Sequence, residues 1–215
     1  MTKTLIVPLD PGAGTAFPAG EIAGRLLAGA VAAYPTETFY ALGAAAFAGK
    51  AVDRIFRLKK RGASKPLSFI VSDMEMVREV AAAMPAAFTA LAAEFWPGPL
   101  TLVLPAAAGL PDRLLGPGRT IAVRIPPLAW LRALVREMSE PLTATSANLA
   151  GEPEIAGAAE VRALFEGQVD IIIDGGPAPG GRPSTIVDLS AGTPRILRQG
   201  AIPAERIKAF IGGPA

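Results

Sequence analysis

Val52-Asp53-Arg54-Ile55-Phe56-Arg57-Leu58-Lys59-Lys60-Arg61-Gly62-Ala63-Ser64-Lys65-Pro66-Leu67-Ser68-Phe69-Ile70-Val71 changes its apolar period halfway along. Val52, Ile55 and Phe56 recur at helical spacing and predict a helix that ends near a cationic cluster. Leu67–Val71 is a short apolar run and predicts a strand. Helix, charged connection and strand in succession make the repeating unit of an α/β chain. The alternation continues in both directions. Strands are predicted at Leu5–Val7, Ala30–Ala33, Leu100–Leu104, Ile121–Ile125, Leu142–Thr145, Val169–Asp174, Ile186–Leu189 and Ile196–Leu197. Helices are predicted over Pro18–Ala28, Met74–Val80, Pro85–Phe95, Leu128–Met138, Glu160–Phe165 and Pro203–Phe210. No internal repeat is visible. The expected class is α/β or α+β with one sheet, in one domain over residues 1–215. Pro11–Thr15, Ala106–Arg119 and Pro177–Pro183 are the expected flexible segments.

Two absences narrow the chemistry. The 215 residues include no cysteine and no histidine. A cysteine nucleophile, a Ser-His-Asp triad and a histidine zinc site are thereby excluded. What remains is Lys, Arg, hydroxyls, Asn, carboxylates, backbone groups and phosphate-bound magnesium, a menu that suits phosphate chemistry. A hydrophobic content of 51% supports a packed interior, and a net charge of +2 is only mildly basic. The amino terminus does not read as a secretory signal, and the uncharged stretch Phe95–Pro111 is broken by prolines. The expectation is a cytoplasmic protein with no membrane segment.

Four polar constellations stand at predicted element ends. Lys59, Lys60, Arg61 and Lys65 put four cations within seven residues. They can solvate a helix end, or clamp an anion through guanidinium forks and ammonium charges. Tyr34-Pro35-Thr36-Glu37-Thr38-Phe39-Tyr40 follows an apolar run. It reads as a strand-to-helix turn capped by Thr36, or as a hydroxyl offered to a substrate. Thr145-Ser146-Ala147-Asn148 shows the same strand-then-polar pattern. Gly175–Pro183, leading into Ser184-Thr185-Ile186-Val187-Asp188, is glycine-rich, but neither a P-loop nor a dinucleotide fingerprint occurs in the chain.

Taken in order, these landmarks resemble the YrdC-type threonylcarbamoyl-AMP synthase family. The match runs through Tyr34-Pro35-Thr36-Glu37-Thr38, Lys59-x-Arg61-x-x-x-Lys65-Pro66-Leu67 and Trp96-Pro97-Gly98-Pro99-Leu100-Thr101. It continues through Val123-Arg124-Ile125-Pro126, Thr145-Ser146-Ala147-Asn148, Ser184-Thr185-Ile186-Val187-Asp188 and Ile196-Leu197-Arg198-Gln199-Gly200. The resemblance implies an α/β, YrdC/RibB-like fold: a twisted mixed sheet flanked by helices, with a large positively lined cavity. It implies a nucleotidyltransferase that turns L-threonine, bicarbonate and ATP into threonylcarbamoyl-AMP and pyrophosphate, with Mg2+ escorting the phosphates. The product would pass to a threonylcarbamoyl-transferase complex that modifies tRNA, and a direct tRNA contact is left open. The single-domain form is expected, without the carboxyl-terminal extension of longer relatives.

By the same resemblance, Thr36, Arg124 and Ser184 are expected to contact L-threonine. Arg61, Lys65, Thr101, Ser146, Asn148 and Arg198 are expected at ATP, and Lys59, Arg61 and Lys65 as the catalytic cations. Two positions depart from the pattern. Ala41 stands where many relatives have Gly, and Glu154 sits near a position often held by a small polar residue. A carbamate is already an anion, so its attack on phosphorus calls for alignment and charge neutralisation rather than a histidine base. The alternatives are a tRNA or double-stranded RNA-binding module, which needs only positive charge, and a paralogue of the same fold with another carbamoyl or phosphoryl reaction.

Overall fold

The computed structural model describes residues 3–9, 17–60 and 67–211. The amino-terminal part runs β1 (Leu5–Pro8), α1 (Ala19–Leu27), β2 (Ala32–Pro35), β3 (Tyr40–Gly43) and α2 (Gly49–Leu58). Then come β4 (Ser68–Ile70), α3 (Met74–Val80), α4 (Ala86–Phe95), β5 (Leu100–Pro105) and β6 (Thr120–Arg124). The chain closes with α5 (Ala129–Met138), β7 (Leu142–Ser146), α6 (Ala158–Phe165), β8 (Ile171–Asp174), β9 (Thr185–Asp188), β10 (Arg195–Arg198) and α7 (Ala204–Ile211). The strands form one mixed sheet in the order β1-β8-β2-β3-β7-β4-β6-β5-β9-β10. The expected α/β class and mixed sheet are both present.

The register separates the sheet into two unlike faces, because side chains alternate along a strand while cross-strand partners share a side. Phe69 pairs with Val123 and Thr143, and Leu102 pairs with Val123 and Val187. All five are fully buried and form one continuous core row. Deleting the Phe69 ring would cost about 3–5 kcal/mol. On the other face Ser68 pairs with Ala122 and Ala144. These three small residues are only partly buried. They form a low floor where larger side chains would fill the space.

The helices bury narrow apolar stripes: Ile22, Ala23 and Leu26 in α1, Ala51, Val52 and Ile55 in α2, and Leu131, Leu134, Val135 and Met138 in α5. Asp73 caps α3, its Oδ1 accepting from the Met76 amide at 3.1 Å. Ser72 and Met76 donate to the same carboxylate and hold it below the usual carboxylate range, against the opposing effect of burial. Ser139 closes α5 in the left-handed region at φ 53°. Among the described residues no helix is long and apolar enough to cross a membrane.

One local expectation fails. Thr36 does not cap a helix; it opens the tight turn of a β2–β3 hairpin in which Tyr34 pairs with Ala41 and Pro35 with Tyr40. The strand β3 is buried along its whole length, so it lacks the apolar–polar alternation that would have marked it. Ala41, the departure from the family's glycine, is buried in this strand.

Candidate active site

Ser146, Arg124, Thr101, Ser184 and Arg198 come from five strands or strand ends, yet register places them on the open side of the sheet. Ala144 and Ser146 are two apart on β7, as Ala122 and Arg124 are on β6. Val103 pairs with Ala122, which puts Thr101 on that side, and Thr101 pairs with Ile186. Arg198 also pairs with Ile186 across a register shift, and Ser184 precedes Ile186 by two.

One cluster is built on β5, β6, β9 and β10. The hydroxyls of Thr101 and Ser184 lie 2.9 Å apart. Arg198 donates from Nη2 to the Ser184 carbonyl at 2.9 Å and to Ser184 Oγ at 3.1 Å, and from Nε to the same carbonyl at 3.1 Å. Thr185 fixes the segment after Arg198. Its Oγ1 accepts from the amides of Gly200 and Ile202, each at 3.0 Å, and donates to the Ile202 carbonyl at 2.7 Å. Gly200 fits only because it has no side chain: a Cβ there would stand 2.1 Å from the Pro183 carbonyl oxygen.

Burial pushes the Arg198 guanidinium below its ordinary pKa; the nearby Glu154 carboxylate opposes the shift and the Arg124 cation adds to it. Arg124 in turn donates from Nη1 to Glu37 Oε1, and both side chains are mostly buried. Glu37 Oε2 is buried and meets no hydrogen-bond partner among the described residues.

A second cluster holds the turn after β7. Lys59, at the end of α2, is buried. Its Nζ donates to the Ser146 carbonyl, to the Asn148 carbonyl at 2.8 Å and to Asn148 Oδ1 at 2.9 Å. Ser146 Oγ donates to Asn148 Oδ1 at 2.6 Å, and Asn148 Nδ2 donates to the Glu152 carbonyl. The expectation that Lys59 faces the phosphates differs from this placement, in which its ammonium organises the Ser146-Ala147-Asn148 turn. Arg61 and Lys65 lie outside the described residues.

Thr36 is also spent locally. Its hydroxyl donates to the Phe39 carbonyl at 2.7 Å and accepts from the amides of Thr38 and Phe39 at 3.2 and 3.3 Å. This turn carries Glu37 to Arg124. Glu37 had no expected role; its signal in the sequence was a lone carboxylate between two threonines at the end of an apolar strand. The Gly/Pro segment, expected to be flexible, is tied down by named bonds. Tyr40 Oη donates to the Gly176 carbonyl at 2.7 Å, and the amides of Ala178 and Gly180 donate to Ala156 and Thr38 carbonyls, each at 2.7 Å. A cavity of about 390 Å³ is lined by Arg54, Arg57, Leu58, Lys60, Leu149, Leu164 and Gln168, of which Lys60 alone belongs to the cationic run singled out in the sequence.

Fold and site together define an α/β protein with paired guanidinium and hydroxyl groups on one side of a mixed sheet. The chain belongs to the Sua5/YciO/YrdC family, whose model, described as telomere recombination, matches residues 25–200. It is 40% identical over 190 residues to the threonylcarbamoyl-AMP synthase of Pyrococcus abyssi (strain GE5 / Orsay), covering 88% of this chain and 56% of that protein. It is 38% identical over 183 residues to the threonylcarbamoyl-AMP synthase of Bacillus subtilis (strain 168), covering 85% of this chain and 53% of that protein. The chain thus spans about half the length of these relatives. The crystal structure of P. abyssi Sua5 complexed with L-threonine superposes with a TM-score of 0.89 at 37% identity, over 98% of this chain and 61% of that one.

Proposed function

We propose that this chain is an L-threonylcarbamoyladenylate synthase, a nucleotidyltransferase acting on L-threonine, bicarbonate and ATP for the threonylcarbamoyladenosine modification of tRNA. The observation that carries the reading is the cluster in which Arg198 grips Ser184, whose hydroxyl lies 2.9 Å from that of Thr101, on the side of the sheet that also carries Arg124. Clustered guanidinium and hydroxyl donors give an anion charge-assisted hydrogen bonds. Every substrate of this reaction supplies one: a carboxylate, a bicarbonate, a triphosphate. The names of the two relatives and the threonine complex of the P. abyssi protein support the same reading.

The threonine ammonium and bicarbonate condense to a carbamate, releasing water and one proton to solvent. A carbamate oxygen then attacks the α-phosphorus. The new O–P bond forms as the bond to the β-phosphate bridge breaks, and pyrophosphate leaves with both electrons of that bond. Arg124 holds the threonine carboxylate, a planar fork against a planar anion. Ser184 places its hydroxyl beside it, and Thr101, 2.9 Å from Ser184, offers its hydroxyl to the nucleotide. Ser146, Asn148 and Arg198 hold the nucleotide, with Arg61 and Lys65 at its phosphates. Lys59 acts on Ser146 and Asn148 by fixing their turn, and Thr36 by shaping the turn that carries Glu37. Oriented donors of this kind are worth about 3–4 kcal/mol each at a developing charge.

Among the described residues no three acidic side chains gather as a metal site. Magnesium would enter with ATP, held by the phosphates of the substrate complex. The proposed setting is the cytoplasm, with a transferase complex taking the product and with tRNA as a further contact.

The test incubates the protein with ATP, magnesium, bicarbonate and threonine and looks for the adenylate by mass spectrometry. The expected result is the adenylate together with pyrophosphate release that stops when threonine is left out. Pyrophosphate release indifferent to threonine would overturn the reading.

A further inference from the structure

We infer that Glu37 recognises the α-amino nitrogen of the amino-acid substrate and so sets the preference for amino acids over other carboxylic acids. The inference rests on the proposed role of Arg124 at the substrate carboxylate. Glu37 and Arg124 form an ion pair whose side chains are 12% and 8% exposed. The contact has one prong, from Arg124 Nη1 to Glu37 Oε1. Glu37 Oε2 is buried and, among the described residues, has no donor. An ionised oxygen held away from water is stable only when donors surround it, and arginine–carboxylate pairs built for stability commonly use both oxygens.

The neighbours do not supply the missing donor. The Tyr34 hydroxyl is committed to the Thr143 carbonyl at 3.0 Å. The Thr36 hydroxyl donates to Phe39 at 2.7 Å, and the Thr38 hydroxyl lies 3.1 Å from that of Thr36. The two threonine hydroxyls are used within their own turn, and that of Tyr34 on strand β7, beyond β3.

An α-amino acid carries its carboxylate and its ammonium on adjacent atoms of one short unit. A carboxylate seated on the Arg124 guanidinium therefore brings its ammonium beside the group that shares that guanidinium, which is Glu37. An ammonium offers three N–H donors, and an ionised carboxylate oxygen only accepts. The zwitterion and the ion pair are also matched in charge, so binding leaves no charge unpartnered. Arg124 by itself would accept any carboxylic acid. After carbamoylation one N–H stays on the nitrogen, so the contact persists while the positive charge is gone.

The experiment measures adenylate formation and calorimetric binding in the wild type and in Glu37→Gln, using L-threonine and its 2-hydroxy analogue, 2,3-dihydroxybutanoate. The expected result is a rise of about tenfold or more in KM for L-threonine, an ATP KM changed by less than about threefold, and loss of most of the preference for threonine over the hydroxy acid. Glu37→Gln with wild-type threonine KM and preference overturns the inference and leaves the proposed function standing. A wild type that makes no adenylate overturns both. Glu37→Asp keeps the negative charge near Arg124 and withdraws the carboxylate by one methylene, and it covers the case in which the glutamine variant does not fold. The same threonine-selective change is expected there. Parallel losses for threonine and ATP in the aspartate variant mean a structural role only and overturn the inference.

Discussion

The guanidinium of Arg198 grips Ser184 by both its carbonyl, at 2.9 and 3.1 Å, and its hydroxyl, at 3.1 Å. A residue expected at the nucleotide is thereby joined to one expected at threonine. The two half-sites share a part, so neither can move without the other.

Arg198→Ala should lower kcat/KM for both substrates by about tenfold or more, a loss of about 1.4 kcal/mol or greater. Arg198→Lys should rescue little, since an ammonium keeps the charge but not the planar fork that reaches two atoms of Ser184. Steady-state kinetics with each substrate varied in turn checks this. A change confined to one substrate would mean the half-sites are separable.

Lys59→Met removes a buried ammonium while keeping most of its volume. The Ser146 carbonyl, the Asn148 carbonyl and Asn148 Oδ1 lose their donor. A destabilisation of about 3 kcal/mol is expected in urea, with a raised KM for ATP as the turn loosens. Retention of wild-type stability would mean that these bonds contribute little to the fold.

Arg61→Ala and Lys65→Ala should each reduce turnover by about tenfold or more without lowering the urea midpoint, because the role proposed for both is at the phosphates. Wild-type ATP consumption in either variant would count against the proposed nucleotide role of this motif.

Gly200→Ala places a methyl 2.1 Å from the Pro183 carbonyl oxygen and 2.5 Å from the Ser184 carbonyl carbon. Backbone must shift, at a cost of about 1–3 kcal/mol. The shift falls on Ser184, so activity should drop out of proportion to stability. Paired denaturation and kinetic measurements test the disproportion.

Asp188 supplies a pH signature. Burial raises its pKa, but the Ser190 hydroxyl at 2.6 Å, the Ser190 amide at 2.9 Å and Arg195 more than reverse this, leaving it below the ordinary carboxylate value. A group depressed in the folded state stabilises fully above its unfolded pKa of about 3.9, and that contribution fades as pH falls through the folded value. Asp188→Asn should therefore cost about 1–2 kcal/mol at neutral pH, and the gap to the wild type should narrow below about pH 4. Equilibrium unfolding across that range measures it.

Much of the fold was legible because most elements carry their period openly. Met74–Val80 is both the predicted and the observed span of α3. The strand at β2 was placed two residues early, since Ala30 to Pro35 is uniformly apolar or small and offers no edge. The strand at β3 was hidden by burial on both sides. In the site, Arg124, Ser184, Thr101 and Arg198 were named from sequence and come together in space. The sequence could not show that Lys59 turns inward to carbonyls, since a cation beside other cations reads as a solvated cluster. It could not show the Glu37–Arg124 contact either, because the partners are separated by 87 positions and meet only through the sheet.

The floor made by Ser68, Ala122 and Ala144 has a lopsided mutational landscape. Trimming it gains almost nothing, since a serine and two alanines have scarcely an atom to give up. Adding bulk at any one of them fills space beside the proposed substrate contacts Arg124 and Ser146. Three separate strands contribute to the floor, so randomised libraries at these positions should return survivors of small size and almost no compensating pairs.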